Sequence, residues 1–165
     1  MSTSFSTPAW HLVSPDTPTF KRPQSVLVAV WTTQGEALLL HRCAPACFWQ
    51  SITGSLEADE TPHEAARREL HEETGIQVTP AQLHDWGLTN RFPIPDTWAA
   101  RYAPGERTNT EHVFSLQLSS RVPVRLAPGE HDAMCWVPLD EACRRAWSWT
   151  NRDLLQLLEQ CHSGT

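Results

Sequence analysis

No stretch of this 165-residue chain approaches the ~18 consecutive apolar residues of a membrane span, so no transmembrane helix and no membrane partner are expected. A basic excess is also missing. Lys and Arg total 13 against 19 Asp and Glu, a formal charge of −6. A sequence-independent nucleic-acid binder needs the opposite sign, so that class is set aside. Residues 1–20 contain neither a basic cluster nor an apolar stretch, which speaks against a secretory leader. The five cysteines, Cys43, Cys47, Cys135, Cys143 and Cys161, are odd in number and irregular in spacing. Cys43 and Cys47 form one close pair, and no second pair completes a zinc set. Reduced thiols in a cytoplasmic protein are the expectation, with no obligate protein partner.

Internal repeats are absent, and no shift of composition divides the chain. The length suits one domain of about 100–200 residues. With 40% hydrophobic and 19% charged residues, the balance is that of a globular chain rather than a disordered one. Residues 1–20, rich in Ser, Thr and Pro, read as an irregular arm docked through Trp10 and Leu12. Residues 21–162 read as the single folded domain.

The segment 24–32 is β-branched and apolar, as a buried strand should be, and 36–41 returns as its partner after a turn at Gly35. A loop broken by Pro45 leads to a short extended segment over 48–53. Further strands are expected over 83–91, 110–118 and the end of 129–137, with a long loop over 92–102. Short and final helices are expected over 139–145 and from Thr150, which reads as the last helix's N-cap. Its apolar face runs through Leu154, Leu155, Leu157, Leu158 and Cys161. The whole reads as an α/β domain with a mixed sheet.

The clearest helix lies between Leu56 and Gly75. Thr61 stands at the N-cap, Pro62 at the first helical position and Glu64 two positions later, which makes a capping box. Gly75 follows the last turn. On this helix Glu69, Glu72 and Glu73 fall at i, i+3 and i+4, spanning about 100° of its surface. Ala66 and Leu70 lie beside that arc, on the side expected to face the core. Three neighbouring carboxylates are either a solvated acidic face, partly offset by Arg67 and Arg68, or a site for a hard divalent cation that grips phosphate oxygens.

The spacing separates these two readings. Gly54 is followed after five residues by Glu60, and after seven more by Arg68-Glu69-Leu70, then Glu72-Glu73, Gly75 and Ile76. This resembles the Nudix box, Gly-x5-Glu-x7-Arg-Glu-apolar-x-Glu-Glu-x-Gly-apolar, without departure. The resemblance implies a Nudix hydrolase with an α/β/α sandwich around a mixed sheet. It implies Mg²⁺, or Mn²⁺, at Glu69, Glu73 and Glu72, with a further carboxylate from Glu130. Arg68 is implied to orient the glutamates, with Glu60 as its partner. Glu72 and Glu73 are the catalytic candidates beside Arg68. His131 reads as a solvated loop histidine, with a general base as the alternative.

Segments outside the box, among them Lys21-Arg22-Pro23, 48–55, 101–105, Asn109-Thr110-Glu111 and 149–152, resemble the bacterial dihydroneopterin triphosphate pyrophosphatases of folate synthesis. The arm at 1–20 and the proline-rich 92–95 depart from that subfamily. The resemblance implies hydrolysis of a small-molecule triphosphate, 7,8-dihydroneopterin triphosphate, to the monophosphate and pyrophosphate. Lys21, Arg42, Thr53 and Ser148 are then candidates for the phosphate tail. Phe92, Pro93, Ile94 and Pro95 lie near the pterin, and Trp49, Trp98 and Trp149 are candidates to stack on it. A broader (d)NTP pyrophosphohydrolase is the alternative, since only the base pocket distinguishes the two. A non-catalytic Nudix module usually lacks a box glutamate, and none is lacking here.

Overall fold

The computed structural model of the protein describes residues 19–43 and 47–164. Residues 1–18 of the arm proposed over 1–20, with its docking residues Trp10 and Leu12, lie outside the described residues, as does Pro45. Among the described residues seven strands form one mixed sheet: β1 (Gln24–Thr32), β2 (Glu36–Arg42), β3 (Phe48–Gln50), β4 (Ile52–Ser55), β5 (Leu83–Pro93), β6 (Thr108–Leu118) and β7 (His131–Pro138). Within the same residues it is accompanied by the α-helices α1 (Pro62–Thr74), α2 (Leu139–Arg145) and α3 (Trp149–Ser163).

β1 runs parallel to β6 along its whole length, and the remaining pairings are antiparallel. β1 and β2 meet at their hairpin, where Trp31 faces Ala37, and then splay. The gap is filled by β3, which pairs with the end of β2, and β4, which pairs with the start of β1. Ser51 is the kink between them. The far edge of β2 carries β7.

The period of two along β1 divides the core. Val26, Val28 and Val30 pack with Leu38, Leu40, Ile52 and Phe114 against Ala65, Ala66 and Leu70 of α1. Leu27, Ala29 and Trp31 pack with Leu39 and Val113 against Leu139 and Ala142 of α2 and Leu154, Leu155 and Leu158 of α3. Both faces of the sheet are thus covered, giving the expected α/β/α sandwich. Each fully buried Leu contributes about 1.5–3 kcal/mol of transfer free energy.

Three local expectations are corrected. The strand expected over 83–91 continues to Pro93, held by antiparallel pairing of Phe92 with Asn109 and Pro93 with Thr108. The long loop beyond it contains a 3-10 helix over Asp96–Arg101. Ser148, not Thr150, caps α3, because its hydroxyl accepts the Asn151 N–H at 3.2 Å. Thr150 is instead buried in the first turn, where its hydroxyl donates to the carboxylate of Glu111. All five cysteines are free thiols. Among the described residues no helix is long and apolar enough to cross a membrane.

Candidate active site

The site grows from the two ends of α1. At its start Glu64 N–H donates to Thr61 Oγ1 at 3.3 Å, and Thr61 N–H donates back to the Glu64 carboxylate at 2.9 Å. At its end Gly75 takes the left-handed conformation, φ 75°, and its N–H donates to the His71 carbonyl at 2.8 Å. Burial of Ala65, Ala66 and Leu70 fixes the rotation of the helix. Glu73 is thereby carried inward until it is 4% exposed, while the Glu72 side chain stays 54% exposed at the rim.

Arg68 organises the carboxylates. It donates to both oxygens of Glu60 at 2.7 and 2.9 Å, to Glu69 Oε1 at 2.8 Å, to Glu72 at 3.3 Å and to the Ser55 carbonyl at 3.0 Å. The two-pronged pairing with Glu60 uses the planar guanidinium fork, which an ammonium cannot reproduce. The Arg68 hydrogen bond holds the Glu60 carboxyl below the usual carboxylate range, and Glu60 and Glu69 keep Arg68 firmly charged.

Glu69 and Glu73 are pushed the other way. Burial raises Glu69, against the opposing pull of Arg68. Burial raises Glu73 further, reinforced by Glu69 and Glu130 and opposed by Arg42 and by a hydrogen bond from the Thr53 backbone. Like charges crowded in a poorly solvated place cost free energy unless a cation joins them.

The third element is the start of β7. Donor atoms of Glu73, Glu130 and His131 lie within 4.8 Å of one another. The pairing of β7 with β2 slips by one residue here. His41 faces Ala133, but Arg42 faces His131, leaving Asp132 as the extra residue of a bulge. The slip turns His131 to the face of Arg42, which continues the α1 side of the sheet. Asp132 instead contacts His41 Nδ1 at 2.5 Å. His131 is therefore buried, 6% exposed, and not the solvated loop histidine expected. Burial lowers its pKa, with Glu130 opposing. Five buried side-chain polar atoms lack a hydrogen-bond partner among the described residues, and three of them are Glu73 Oε2 and the two ring nitrogens of His131. Each such orphan costs roughly 1–3 kcal/mol. The donor set fits a divalent cation, and coordination would relieve those orphans.

The remaining sequence candidates gather at the same end of the sheet, opposite the β1–β2 hairpin. β2 ends there with Arg42, an electrostatic neighbour of both Glu73 and His131. Lys21, the single lysine of the chain, precedes β1 and bridges to Tyr102, its N–H donating to the Arg101 carbonyl at 2.8 Å. Phe92 and Pro93 close β5; Ile94 is buried, and Pro95 opens the 3-10 helix. Thr53 shares a face with Leu27 in β4. Ser148 is occupied as the α3 cap. Among the tryptophans, Trp149 is 48% exposed, and Trp49 packs on the α2–α3 core with its ring 4.9 Å from His41.

The burial of two groups escaped the sequence reading. One is His131. The other is Glu111, 5% exposed in β6, which accepts hydrogen bonds from Asn90 at 3.3 Å and from Thr150. Its signal was present in the strand phase, since Glu111 shares the face of Val113, a core residue.

Comparison with known proteins agrees with this geometry. The NUDIX domain family profile matches residues 21–158. Dihydroneopterin triphosphate diphosphatase of Escherichia coli strain K12 is 38% identical over 140 residues, covering 83% of this chain and 92% of that protein. The enzyme of the same name from Haemophilus influenzae is 33% identical over 141 residues, covering 83% and 87% respectively. The crystal structure of the E. coli dihydroneopterin triphosphate pyrophosphohydrolase superposes with a TM-score of 0.75, covering 84% of this chain and 95% of that one.

Proposed function

This chain belongs to the NUDIX domain family, and from that premise we propose that it hydrolyses 7,8-dihydroneopterin triphosphate to the monophosphate and pyrophosphate, with Mg²⁺ as its cation. Water adds across the anhydride between the α- and β-phosphates: one product takes the hydroxyl oxygen, and the protons pass to solvent. The substrate assignment is carried by one observation. Identity to proteins named for that reaction extends over 140 residues, far beyond the box common to the family. Glu69, Glu73 and Glu130 would hold the cation, which would supply positive charge for the phosphate oxygens and make water more acidic. Glu72, at the exposed rim, completes the cation's shell or takes up a proton. Arg68 holds Glu69 and Glu72 in position through its anchor on Glu60. Arg42 and Lys21 supply positive charge for the phosphate tail, and the 92–95 segment borders the pterin.

Product analysis with dihydroneopterin triphosphate and each dNTP, in ¹⁸O-labelled water with Mg²⁺, tests the assignment. The pterin substrate is expected to exceed every dNTP in kcat/KM by tenfold or more, equivalent to about 1.4 kcal/mol of differential transition-state binding. A dNTP preferred by that margin replaces the pterin with a nucleotide and leaves the family chemistry standing.

A further inference from the structure

We propose that His131 is a nitrogen ligand of the divalent cation held by Glu73 and Glu130, so that the site is a mixed nitrogen–oxygen one rather than carboxylate-only. The proposal rests on the cation reading above and adds a donor of a different chemical kind to it.

Three independent observations meet at this residue. Its donor atom lies within 4.8 Å of those of Glu73 and Glu130. Among the described residues both buried ring nitrogens lack a hydrogen-bond partner, and so does Glu73 Oε2. The bulge at Asp132 brings it there, since unbroken alternation would put residue 131 on the face of Ala133 and Cys135. A buried histidine that merely fills space normally gives at least one ring N–H to a carbonyl or carboxylate. A histidine acting on solvent would be open to it, and this one is 6% exposed. Coordination satisfies one nitrogen directly and accounts for the bulge.

The consequence is a preference among metals. Mg²⁺ gains little from imidazole, whereas Mn²⁺ and Co²⁺ gain more, so a mixed donor set favours the transition ions.

The test is pulsed EPR of the full-length protein loaded with Mn²⁺, with and without ¹⁵N-labelled histidine, alongside Mn²⁺ and Mg²⁺ binding isotherms. A directly bound nitrogen is expected in the wild-type spectrum. It is expected to change with the isotope, to persist in His41→Gln and to vanish in His131→Gln. Mn²⁺ affinity is expected to fall at least about tenfold in His131→Gln, and Mg²⁺ affinity by clearly less. A Mn²⁺-loaded wild type without nitrogen coupling overturns the proposal, whether or not the His131 variant folds. Coupling lost in His41→Gln and kept in His131→Gln overturns it as well. In either of those cases, loss of Mn²⁺ binding in Glu73→Gln leaves the carboxylate site standing. Mn²⁺ binding that Glu73→Gln does not weaken removes that site and the proposal together.

Discussion

The carboxylate of Glu69 fills the space that a side chain on Gly54 would need: a Cβ there would meet the Glu69 Cγ, Cδ and Oε1 at well under 3.0 Å. The backbone of Gly54 is not left-handed, so its requirement for glycine is one of room alone. Gly54→Ala is therefore expected to keep the fold, with Glu69 swung away from Arg68. Turnover and cation affinity are expected to drop at least tenfold while the far-UV circular dichroism spectrum is unchanged. An alanine variant with wild-type cation affinity would show that the contact has no role in placing Glu69.

Removing charge from the buried carboxylates separates stability from activity. Glu69→Gln and Glu73→Gln each relieve repulsion and desolvation of a group that burial pushes toward protonation. Metal-free stability is expected to hold or rise by a few tenths of a kcal/mol, while turnover falls by orders of magnitude. Added Mg²⁺ is expected to raise the Tm of the wild type more than that of either variant. Glu64→Gln keeps the capping box in its Thr–Gln form and is expected to leave turnover near normal. Calorimetry with and without EDTA, set beside initial rates, checks all of these.

Arg68→Lys tests whether charge or fork geometry matters at that position. An ammonium cannot span both oxygens of Glu60, Glu69 and the Ser55 carbonyl together. The lysine variant is expected to lose about 1.5–3 kcal/mol in urea unfolding, as for hydrogen bonds to charged groups, and most of its turnover. Equal stability of Arg68→Lys and wild type would reduce the residue to a point charge.

Much of this was legible in the sequence because local rules decide it. The apolar run of β1, the Thr61–Glu64 box and Gly75 each act over a few residues, and their elements lie where the pattern puts them. Thr150 reads as a cap by residue type, but the fold puts the cap two residues earlier, at Ser148, and buries Thr150 near Glu111 of β6. His131 was illegible for a similar reason. Its face depends on a slip between β2 and β7, and nothing local in His131-Asp132-Ala133 announces a bulge. Ser51 and Asn151, hydrogen-bonded at 2.8 Å, likewise join segments 100 residues apart.

Glu111 makes a prediction about pH. Burial raises its pKa above 4.5, against the hydrogen bonds from Thr150 and Asn90. Between 4.5 and that raised value the folded protein binds more protons at this site than the unfolded chain. The contribution of Glu111 to stability therefore falls as pH rises through that window and stays low above it. Glu111→Gln is expected to have a higher Tm than wild type at pH 7 and a flatter Tm profile between pH 4.5 and 7. An unchanged profile would mean that the carboxylate is as well solvated folded as unfolded.

The single extra residue at Asp132 gives β7 two phases. From Ala133 onward the strand answers to the core, and before it to the cation cluster. Deleting Asp132 would join His131 to Ala133 in unbroken alternation, with His131 still opposite Arg42, so the pairing of Met134 and Trp136 with β2 and the face of His131 would both survive. An insertion or deletion near this site is thus better judged by whether it falls on the bulge residue than by its length.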